Sequence, residues 1–282
     1  MASTSFNLEG TVHRISSTPG SFAIVSSTPN WPIPPKASSS KLHVSVLDSS
    51  FNPPTIAHQQ IAFSAFPPPS SSCTPSNDPP SYTSRLLLFS ARNVEKTLQS
   101  GDAIPQQRVE MMSILSSLRS NTHPKESIAV GLINEPTFVG KASIIRNHLS
   151  TLPYLDVEVD LSFLVGTDTL IRFFDPRFYP PNEMNRKIQE YFRDSNAYLI
   201  SARRGINEED RAIENEILNR DGVREWVDKG KLRLLGTGQE GWEEVSSTIV
   251  RKAVGGGDWE KVEKLVGKEV MDYIRREGLY ST

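Results

Sequence analysis

The chain has a single cysteine, Cys73, among its 282 residues, and this cysteine lies in a tract of proline and serine. An internal disulfide framework is thereby excluded, and the cysteine usage suits a reducing compartment. Long apolar runs are also missing, since none approaches the roughly 20 residues that a membrane-spanning helix needs. The first residues lack a basic start followed by an apolar stretch, so we expect no signal peptide. These absences predict a soluble intracellular protein that does not engage a membrane.

Neither sign of charge is in marked excess, because 31 Lys and Arg stand against 33 Asp and Glu, a formal net charge of −2. No global positive field therefore argues for a nucleic-acid partner. Three common catalytic signatures, HExxH, CxxC and GxxxxGK[ST], are absent, so we expect neither a protein-held metal nor a P-loop. With 37% hydrophobic residues, the chain is long enough to bury a sizeable core.

Two stretches rich in serine, threonine and proline divide the chain. Residues 1–40 show no sustained periodicity apart from the short apolar SFAIV, and they are predicted to form an irregular N-terminal arm. A second tract at about 66–84 is predicted to be a surface loop inserted between two elements. Residues 41–282 are predicted to form one domain.

Short apolar runs alternate with helical patterns through this domain. Continuous apolar runs are typical of strands that are buried on both faces. The six runs are KLHVSVLD, SRLLLFS, SIAVGLI, LSFLVGT, NAYLISA and KLRLLGT. Helical spacing appears between them in QQRVEMMSILSSLR, GKASIIRNHL and EEDRAIENEIL, and two short helices are expected from about Asp258 onward. The pattern predicts an α/β fold with a Rossmann-like, doubly wound parallel sheet of about six strands and a helical C-terminal end.

The segment SSFNPPTIAH directly follows the first predicted strand. Ligands of open parallel sheets bind outside the carboxyl ends of the strands. Pro53 and Pro54 suit the entry to a helix, Thr55 can cap it, and its free N–H groups attract phosphate. His58 would lie in the first turn and could face that anion. On local pattern alone, a plain strand–turn–helix connection with an incidental histidine is the alternative.

A second hydroxyl-rich segment, VSSTIVR, spans Val245 to Arg251. Its serines or threonine can cap the helix STIVRKAV, and Arg251 lies one turn further along, where its forked donors could reach phosphate oxygens. The segment ISSTPG, Ile15 to Gly20, has the same hydroxyl run, but proline and glycine follow in place of a helix and an arginine. We therefore predict a loop there and an anion site only at VSSTIVR.

These two segments resemble the GSFNPxTxxH and ISSTxxR motifs of the nucleotidylyltransferase superfamily, in its nicotinamide mononucleotide adenylyltransferase branch. Four weaker matches, RNVEKT, LVGTDTL, SARRG and DYIRREGLY, follow in the family's order, so the resemblance covers about residues 42–280. The chain looks like a divergent member of fungal type. One departure is Ser49, which stands where the family has glycine and would be strained if that residue needs a positive φ.

The resemblance implies an ATP site and assigns its residues. Ser49, Ser50, Phe51, Thr55, His58, Lys96, Gly166, Asp168, Arg203, Ser247, Thr248 and Arg251 would contact ATP, and His58, Lys96 and Arg251 would act on the reacting phosphates. For Lys96 the alternative is a solvated lysine. For Asp168 it is a helix cap. Arg108, in the helix after the second strand, could be structural or functional.

The pocket for the second substrate is the least regular part of the match. The family has Trp–Glu after the third strand, where this chain has Asn134–Glu135. Residues expected at this pocket are Asn52, Glu135, Phe138, Phe178 and Tyr179. An aromatic platform is one use of these rings, and core packing is the alternative for Phe138.

The activity that the resemblance implies is adenylyl transfer from ATP to nicotinamide mononucleotide, with Mg²⁺ carried mainly by the ATP phosphates. The sequence leaves open whether nicotinate mononucleotide is also an acceptor. His58 would stabilise charge on the α-phosphate, while the lysine and arginines hold the β- and γ-phosphates. Two alternatives stay open: another nucleotidylyltransferase, and an ATP-binding or weakly ATP-hydrolysing interaction or quality-control protein. The sequence leaves the number of subunits open, a homo-oligomer included, and does not separate cytoplasm from nucleus.

Overall fold

The centre of the fold is a seven-stranded sheet. A computed structural model describes residues 7–33, 41–68, 81–91, 101–152, 158–202, 208–236 and 245–281. The strands are β1 (Phe22–Ser27), β2 (Lys41–Ser49), β3 (Ser84–Ser90), β4 (Ser127–Ile133), β5 (Glu158–Gly166), β6 (Ala197–Ala202) and β7 (Leu232–Leu235). Their spatial order is β1-β4-β3-β2-β5-β6-β7, and every neighbouring pair is parallel except β1 with β4. The six predicted strands and the α/β fold are confirmed, and an unpredicted seventh strand joins one edge.

Helices cover both faces of this sheet. They are α1 (Leu8–Ser17), α2 (Ile56–Ala62), α3 (Pro105–Thr122), α4 (Phe138–Ser150), α5 (Thr167–Phe173), α6 (Met184–Gln189), α7 (Glu208–Leu218), α8 (Arg224–Asp228), α9 (Ser247–Gly255), α10 (Trp259–Val266) and α11 (Lys268–Arg276). From β2 the chain steps outward to β3 and β4, then returns past β2 to β5. Because parallel crossovers are right-handed, this reversal places the next helices on the opposite face. The doubly wound arrangement is thereby confirmed.

Two hydrophobic layers result, one on each side of the sheet. Buried side chains of α1, α2, α3 and α9 to α11 form one layer, and those of α4 to α8 form the other. All seven residues of β4 are buried, as expected of a strand that is covered on both faces. In the second layer the rings of Phe192 and Trp226 stack with centroids 4.6 Å apart. No helix in the described ranges is both long and apolar enough to span a bilayer.

The C-terminal end is helical, as predicted. Asp258 caps α10 by accepting a hydrogen bond from the Lys261 N–H at 3.1 Å, and Gly267, with φ 83°, separates α10 from α11. Val262, Leu265, Val270 and Ile274 of these helices are buried, and Trp259 packs partly buried against the same layer. These helices therefore belong to the layer that also holds α2.

The N-terminal residues are more regular than the predicted arm. Residues 8–27 form α1 and the edge strand β1. Val12 and Ile15 are buried in the first layer, and the Asn134 side chain donates to the carbonyls of Ile15 at 3.0 Å and Ser16 at 2.8 Å. The prediction of an irregular arm is therefore wrong for this stretch. A ten-residue helix can be anchored by a single apolar pair, which is too little for the sequence pattern to show.

The segment ISSTPG, correspondingly, is only partly a loop. Ile15 to Ser17 form the last turn of α1, and the turn that follows ends at Gly20 with φ 73°. The loop prediction is wrong for the first three residues. Within this described stretch no helix begins after the serines, so the contrast with VSSTIVR holds.

The predicted surface insert is described only at its ends. The Phe66 ring packs edge-on against His43 with centroids 4.6 Å apart, and the Pro67 carbonyl accepts a hydrogen bond from Arg233 Nη1 at 2.7 Å. Ser84 already belongs to β3. Residues 69–80 lie outside the described ranges, so the surface loop stays a prediction there.

Replacing Ile15 by alanine tests whether the N-terminal helix is part of the core. Ile15 is fully buried, and such large-to-small changes cost about 2–5 kcal/mol. We expect I15A to lower the free energy of unfolding by this amount in urea titrations. His13→Ala, at an exposed position of the same helix, is the control and should change it by less than about 0.5 kcal/mol. Equal unfolding midpoints for I15A and the wild type would contradict this role of α1.

Candidate active site

A cleft of about 1010 Å³ opens at the carboxyl ends of β2 and β5. These strands are neighbours at the point where the chain reverses its direction across the sheet, which is where ligands of open α/β sheets bind. The predicted site residues that line it are Ser49, Ser50, Asn52, Thr55, His58, Phe138, Gly166, Asp168, Phe178, Tyr179, Ser247, Thr248 and Arg251. Both motifs therefore meet in one cleft.

His58 is anchored at the start of α2 through both ring nitrogens. The Thr55 N–H donates to Nδ1 at 3.1 Å, the Thr55 hydroxyl lies 2.8 Å from the same nitrogen, and Nε2 lies 2.9 Å from Ser49 Oγ. Because a backbone N–H can only donate, Nδ1 must accept, and the ring proton is therefore on Nε2. The Nε2–H group is thus the donor of the ring, and Ser49 Oγ is its acceptor. An incidental histidine would not need this arrangement.

Ser49 replaces the family's glycine without backbone strain. It is the last residue of β2, and its φ is not positive. The left-handed residue of the loop is Phe51, with φ 44° and a fully buried side chain whose ring centroid lies 5.2 Å from that of His58. Phe51 therefore contributes its backbone to the loop and its ring to the support of His58. The positive φ of this loop therefore occurs at Phe51, two positions after Ser49.

Asn52 is the centre of a hydrogen-bond network that holds this loop. Its Oδ1 accepts a hydrogen bond from the Tyr280 hydroxyl at 2.8 Å, its Nδ2 donates to Asp102 at 3.3 Å, and its carbonyl accepts from Arg251 Nη1 at 2.6 Å. Burial raises the pKa of Tyr280, so the hydroxyl stays protonated and remains a donor. The sequence reading placed Asn52 against the second substrate. The structure instead engages its side chain within the protein, although Asn52 also lines the cleft.

The second motif is attached directly to the first. The Ser246 side chain caps α9. The Ser247 hydroxyl donates to the Pro53 carbonyl at 2.7 Å, while Arg251 Nη2 donates to Thr248 Oγ1 at 3.3 Å. The first N–H groups of a helix have no partner within it, so those of Ser247 and Thr248 are suited to an anion. The start of α9 is therefore held beside the loop that carries His58.

Arg108 supports the site from below. Its Nε donates to the Ala103 carbonyl at 2.8 Å, and its Nη1 donates to the Ser50 carbonyl at 3.4 Å. Burial lowers the pKa of Arg108. Of the two roles left open by the sequence, the structural one accounts for these contacts.

The end of β5 supplies a carboxylate to the other side of the cleft. Gly166 is the N-cap of α5 and Asp168 lies in the first turn, exposed and without a capping hydrogen bond. The helix-cap alternative for Asp168 therefore does not hold. Arg172, one turn later and also exposed at the cleft, was not anticipated.

Aromatic rings form the wall above α4 and α5. Phe138 packs edge-on against Phe163 and Phe173 with centroids 5.6 and 6.1 Å away, so it belongs both to the core and to the lining. Phe178 is 55% exposed, and the Tyr179 hydroxyl donates to the Phe173 carbonyl at 2.6 Å. Glu135, which was expected at this pocket, does not line the cleft. Its carboxylate accepts hydrogen bonds from the Thr137 N–H and hydroxyl.

Two predicted phosphate ligands, Lys96 and Arg203, lie outside the described ranges. Sequence reasoning also missed an ion pair at the floor of the cleft, between Asp48 and Lys141. A signal for Asp48 existed, because an acidic residue is the last but one of a largely buried strand and directly precedes the first motif. Within the described part of the chain, no group of three or more His, Cys, Asp or Glu residues could hold a metal ion.

No protein-family model matches the chain. A protein of Schizosaccharomyces pombe, provisionally named a nicotinamide mononucleotide adenylyltransferase, is 30% identical over 235 residues, which cover 82% of this chain and 83% of that protein.

Two solved structures are more distant. Plasmodium falciparum nicotinic acid mononucleotide adenylyltransferase complexed with APC has a TM-score of 0.49 at 16% identity, covering 85% of this chain and 97% of that one. Thermotoga maritima TmcAL bound with alpha-thio ATP has a TM-score of 0.34 at 15% identity, covering 84% of this chain and 56% of that one. Likenesses this distant carry no conclusion about this chain. The 30% identity to the fission-yeast protein extends over more than four fifths of both sequences, and on that relationship the chain belongs to the nicotinamide mononucleotide adenylyltransferase family.

Proposed function

We propose that the protein transfers the adenylyl group of ATP to the 5′-phosphate of a pyridine mononucleotide, forming a dinucleotide and pyrophosphate. The observation that carries this proposal is that His58 and the start of α9 lie together in one cleft, joined by the bond between Ser247 and Pro53. The fission-yeast relative is named for this reaction with nicotinamide mononucleotide, which supports the proposal.

The nucleophile in this reaction is a phosphate oxygen, which is already ionised and needs no general base. In-line attack forms a bond to the α-phosphorus and breaks the bond to the bridging β-phosphate oxygen, so pyrophosphate leaves with the electron pair. Catalysis then consists of positioning the two substrates and stabilising charge on the α-phosphoryl oxygens. These are tasks for fixed donors, which the cleft provides.

His58 is the donor for the α-phosphate in this proposal. Its anchoring through Nδ1 to Thr55 leaves Nε2–H directed by the protein before substrate arrives. A phosphate oxygen then replaces the Ser49 hydroxyl as the acceptor of that proton. Little reorganisation is needed, because the imidazole is already oriented.

Cationic and backbone donors would hold the β- and γ-phosphates. An arginine has five N–H donors. Arg251 uses two in the hydrogen bonds to Asn52 and Thr248, and its Nε lies 3.8 Å from Asp102 Oδ1. Ser247 would contribute its backbone N–H, because its hydroxyl donates to Pro53. Lys96 and Arg203 are proposed from the family resemblance as further ligands.

Mg²⁺ is proposed to accompany ATP. The ion would be bound mainly by triphosphate oxygens and water, because Mg²⁺ commonly uses few protein ligands. When bound, the ion would neutralise part of the triphosphate charge.

An ATP-hydrolysing interaction protein on the same fold is the less favoured function. Ser49 is unstrained, and aromatic rings remain available beside the ATP residues. Incubation with ATP, Mg²⁺ and either pyridine mononucleotide separates these functions, because ATP loss without dinucleotide would indicate hydrolysis. A different nucleotidylyltransferase would give neither dinucleotide. Location in cytoplasm or nucleus and the number of subunits stay proposals from the sequence.

Replacing His58 by alanine should reduce dinucleotide formation by about 10²–10³-fold, as expected on losing one preorganised donor to the developing charge. The measurement is the steady-state rate with ATP and each mononucleotide. His123→Ala, at the exposed end of α3, is the matched control and should keep the wild-type rate. A near wild-type rate for H58A, with the fold intact by thermal unfolding, would rule out this role.

Removing the Tyr280 hydroxyl with Y280F should loosen the loop after β2, which precedes His58. The change leaves the Asn52 side-chain oxygen without its donor, at a cost of about 1–3 kcal/mol. Since Asn52 also holds Arg251, we expect a higher KM for ATP.

The control is Y273F. Tyr273 lies in the same C-terminal segment as Tyr280, and its hydroxyl donates to Glu110 of α3. Y273F should lower stability while leaving the KM for ATP unchanged. Equal ATP KM values for Y280F and Y273F would contradict the role of Tyr280.

A further inference from the structure

An ion pair that the mechanism above does not use lies at the floor of the cleft. Lys141 Nζ donates to Asp48 Oδ2, and the two side chains are only 2% and 9% exposed. Both line the cleft. The other carboxylate oxygen, Oδ1, has no hydrogen-bond partner within the described ranges. A desolvated charge pair is expensive to bury, so its place at a substrate cleft requires an explanation.

The pair lies on the aromatic side of the cleft. Lys141 is one turn after Phe138 on α4, and its Nζ is 5.0 Å from the centroid of the Phe138 ring. Helices α4 and α5 belong to one layer of the fold, whereas α2 and α9, with His58 and Arg251, belong to the other. A nucleotide whose phosphate is held by the α2–α9 side can therefore extend its base toward Phe138 and the ion pair.

We propose that Asp48 and Lys141 select the substituent on the pyridine ring, favouring the carboxamide of nicotinamide mononucleotide over the carboxylate of nicotinate mononucleotide. This inference rests on the proposed function and adds the identity of the second substrate. The carboxamide carries an NH₂ group that can donate to Asp48 Oδ1. The carboxylate is ionised at neutral pH, has no donor, and would face a negative side chain.

The charge balance explains why a lysine at the same place does not attract the acid. Asp48 neutralises Lys141 through their direct bond, so an incoming carboxylate meets an ion pair and not a free cation. Discrimination of this kind comes from a matched bond to one substrate together with repulsion of the other. Each member of the pair should therefore shift the preference in an opposite direction.

The test compares kcat/KM for the two mononucleotides, at saturating ATP and Mg²⁺, in the wild type and in charge variants. Asp48→Asn removes the negative charge and frees Lys141 to bind a carboxylate. The ratio of kcat/KM for nicotinamide mononucleotide to that for nicotinate mononucleotide should fall by about 10- to 100-fold in D48N, because the free energy of a hydrogen bond to a charged group corresponds to a change of this size. Lys141→Gln leaves Asp48 unpaired and should raise the ratio. A purely structural role would lower both activities without changing the ratio.

Breaking a buried ion pair can prevent folding, so the double variant D48N/K141Q is made alongside. It removes both charges and should have a ratio between those of the single variants. Asp160→Asn is the matched control, because Asp160 is fully buried and pairs with Lys41 at 3.0 Å. Lys41 is the first residue of β2 and Asp48 the last but one, so the two residues are about 23 Å apart along the extended strand. D160N should leave the ratio unchanged.

Binding of each mononucleotide to the same variants, measured by calorimetry, reads the preference without turnover. A wild type that prefers nicotinamide mononucleotide, with opposite shifts in D48N and K141Q, supports the proposal. Equal use of both substrates by the wild type, or one unchanged ratio across all variants, overturns it and leaves adenylyl transfer intact. Binding with the expected preference but no dinucleotide from either substrate would instead refute the proposed function, while the role of Asp48 and Lys141 in choosing the pyridine substituent would stand.

Discussion

The cleft depends on the hydrogen bonds that fix Asn52. The loop after β2 has two prolines and a left-handed residue, so no regular secondary structure holds it. Asn52 connects it to Tyr280, Asp102 and Arg251, which come from three other parts of the chain. A buried amide with partners on several sides has one favourable arrangement, because rotation would leave polar atoms unsatisfied. The placement of His58 just beyond the loop follows from that arrangement.

Much of the fold could be predicted because its signals are local. Strands that are buried on both faces consist of continuous apolar residues, and all six of the predicted parallel strands are present. Both motifs could be placed for a similar reason, since a strand end and a helix start each leave a short pattern. The parallel topology then brings such ends to one edge of the sheet. The assignment of His58 and Arg251 to one cleft required only these two steps.

The features that escaped prediction depend on contacts between distant residues. Asp48 and Lys141 are 93 positions apart, and nothing near either residue indicates the other. The helix α1 is held by one apolar pair and by the side chain of Asn134, which is more than a hundred positions later. Asn52 was assigned to a substrate because its neighbours match a motif, whereas its partners are set by tertiary structure. Composition and periodicity do not contain this information.

The bonds that join the C-terminal helices to the loop after β2 can form only late in the synthesis of the chain. Ser247 and Pro53 are 194 positions apart, and Tyr280 and Asn52 are 228 apart. Translation releases the strands before α9 to α11 exist, so the sheet can begin to pair while half of the nucleotide site is missing. ATP stabilises a state only if it binds that state. If ATP binds at the proposed site, it stabilises the chain only after the C-terminal helices have packed against the loop that follows β2.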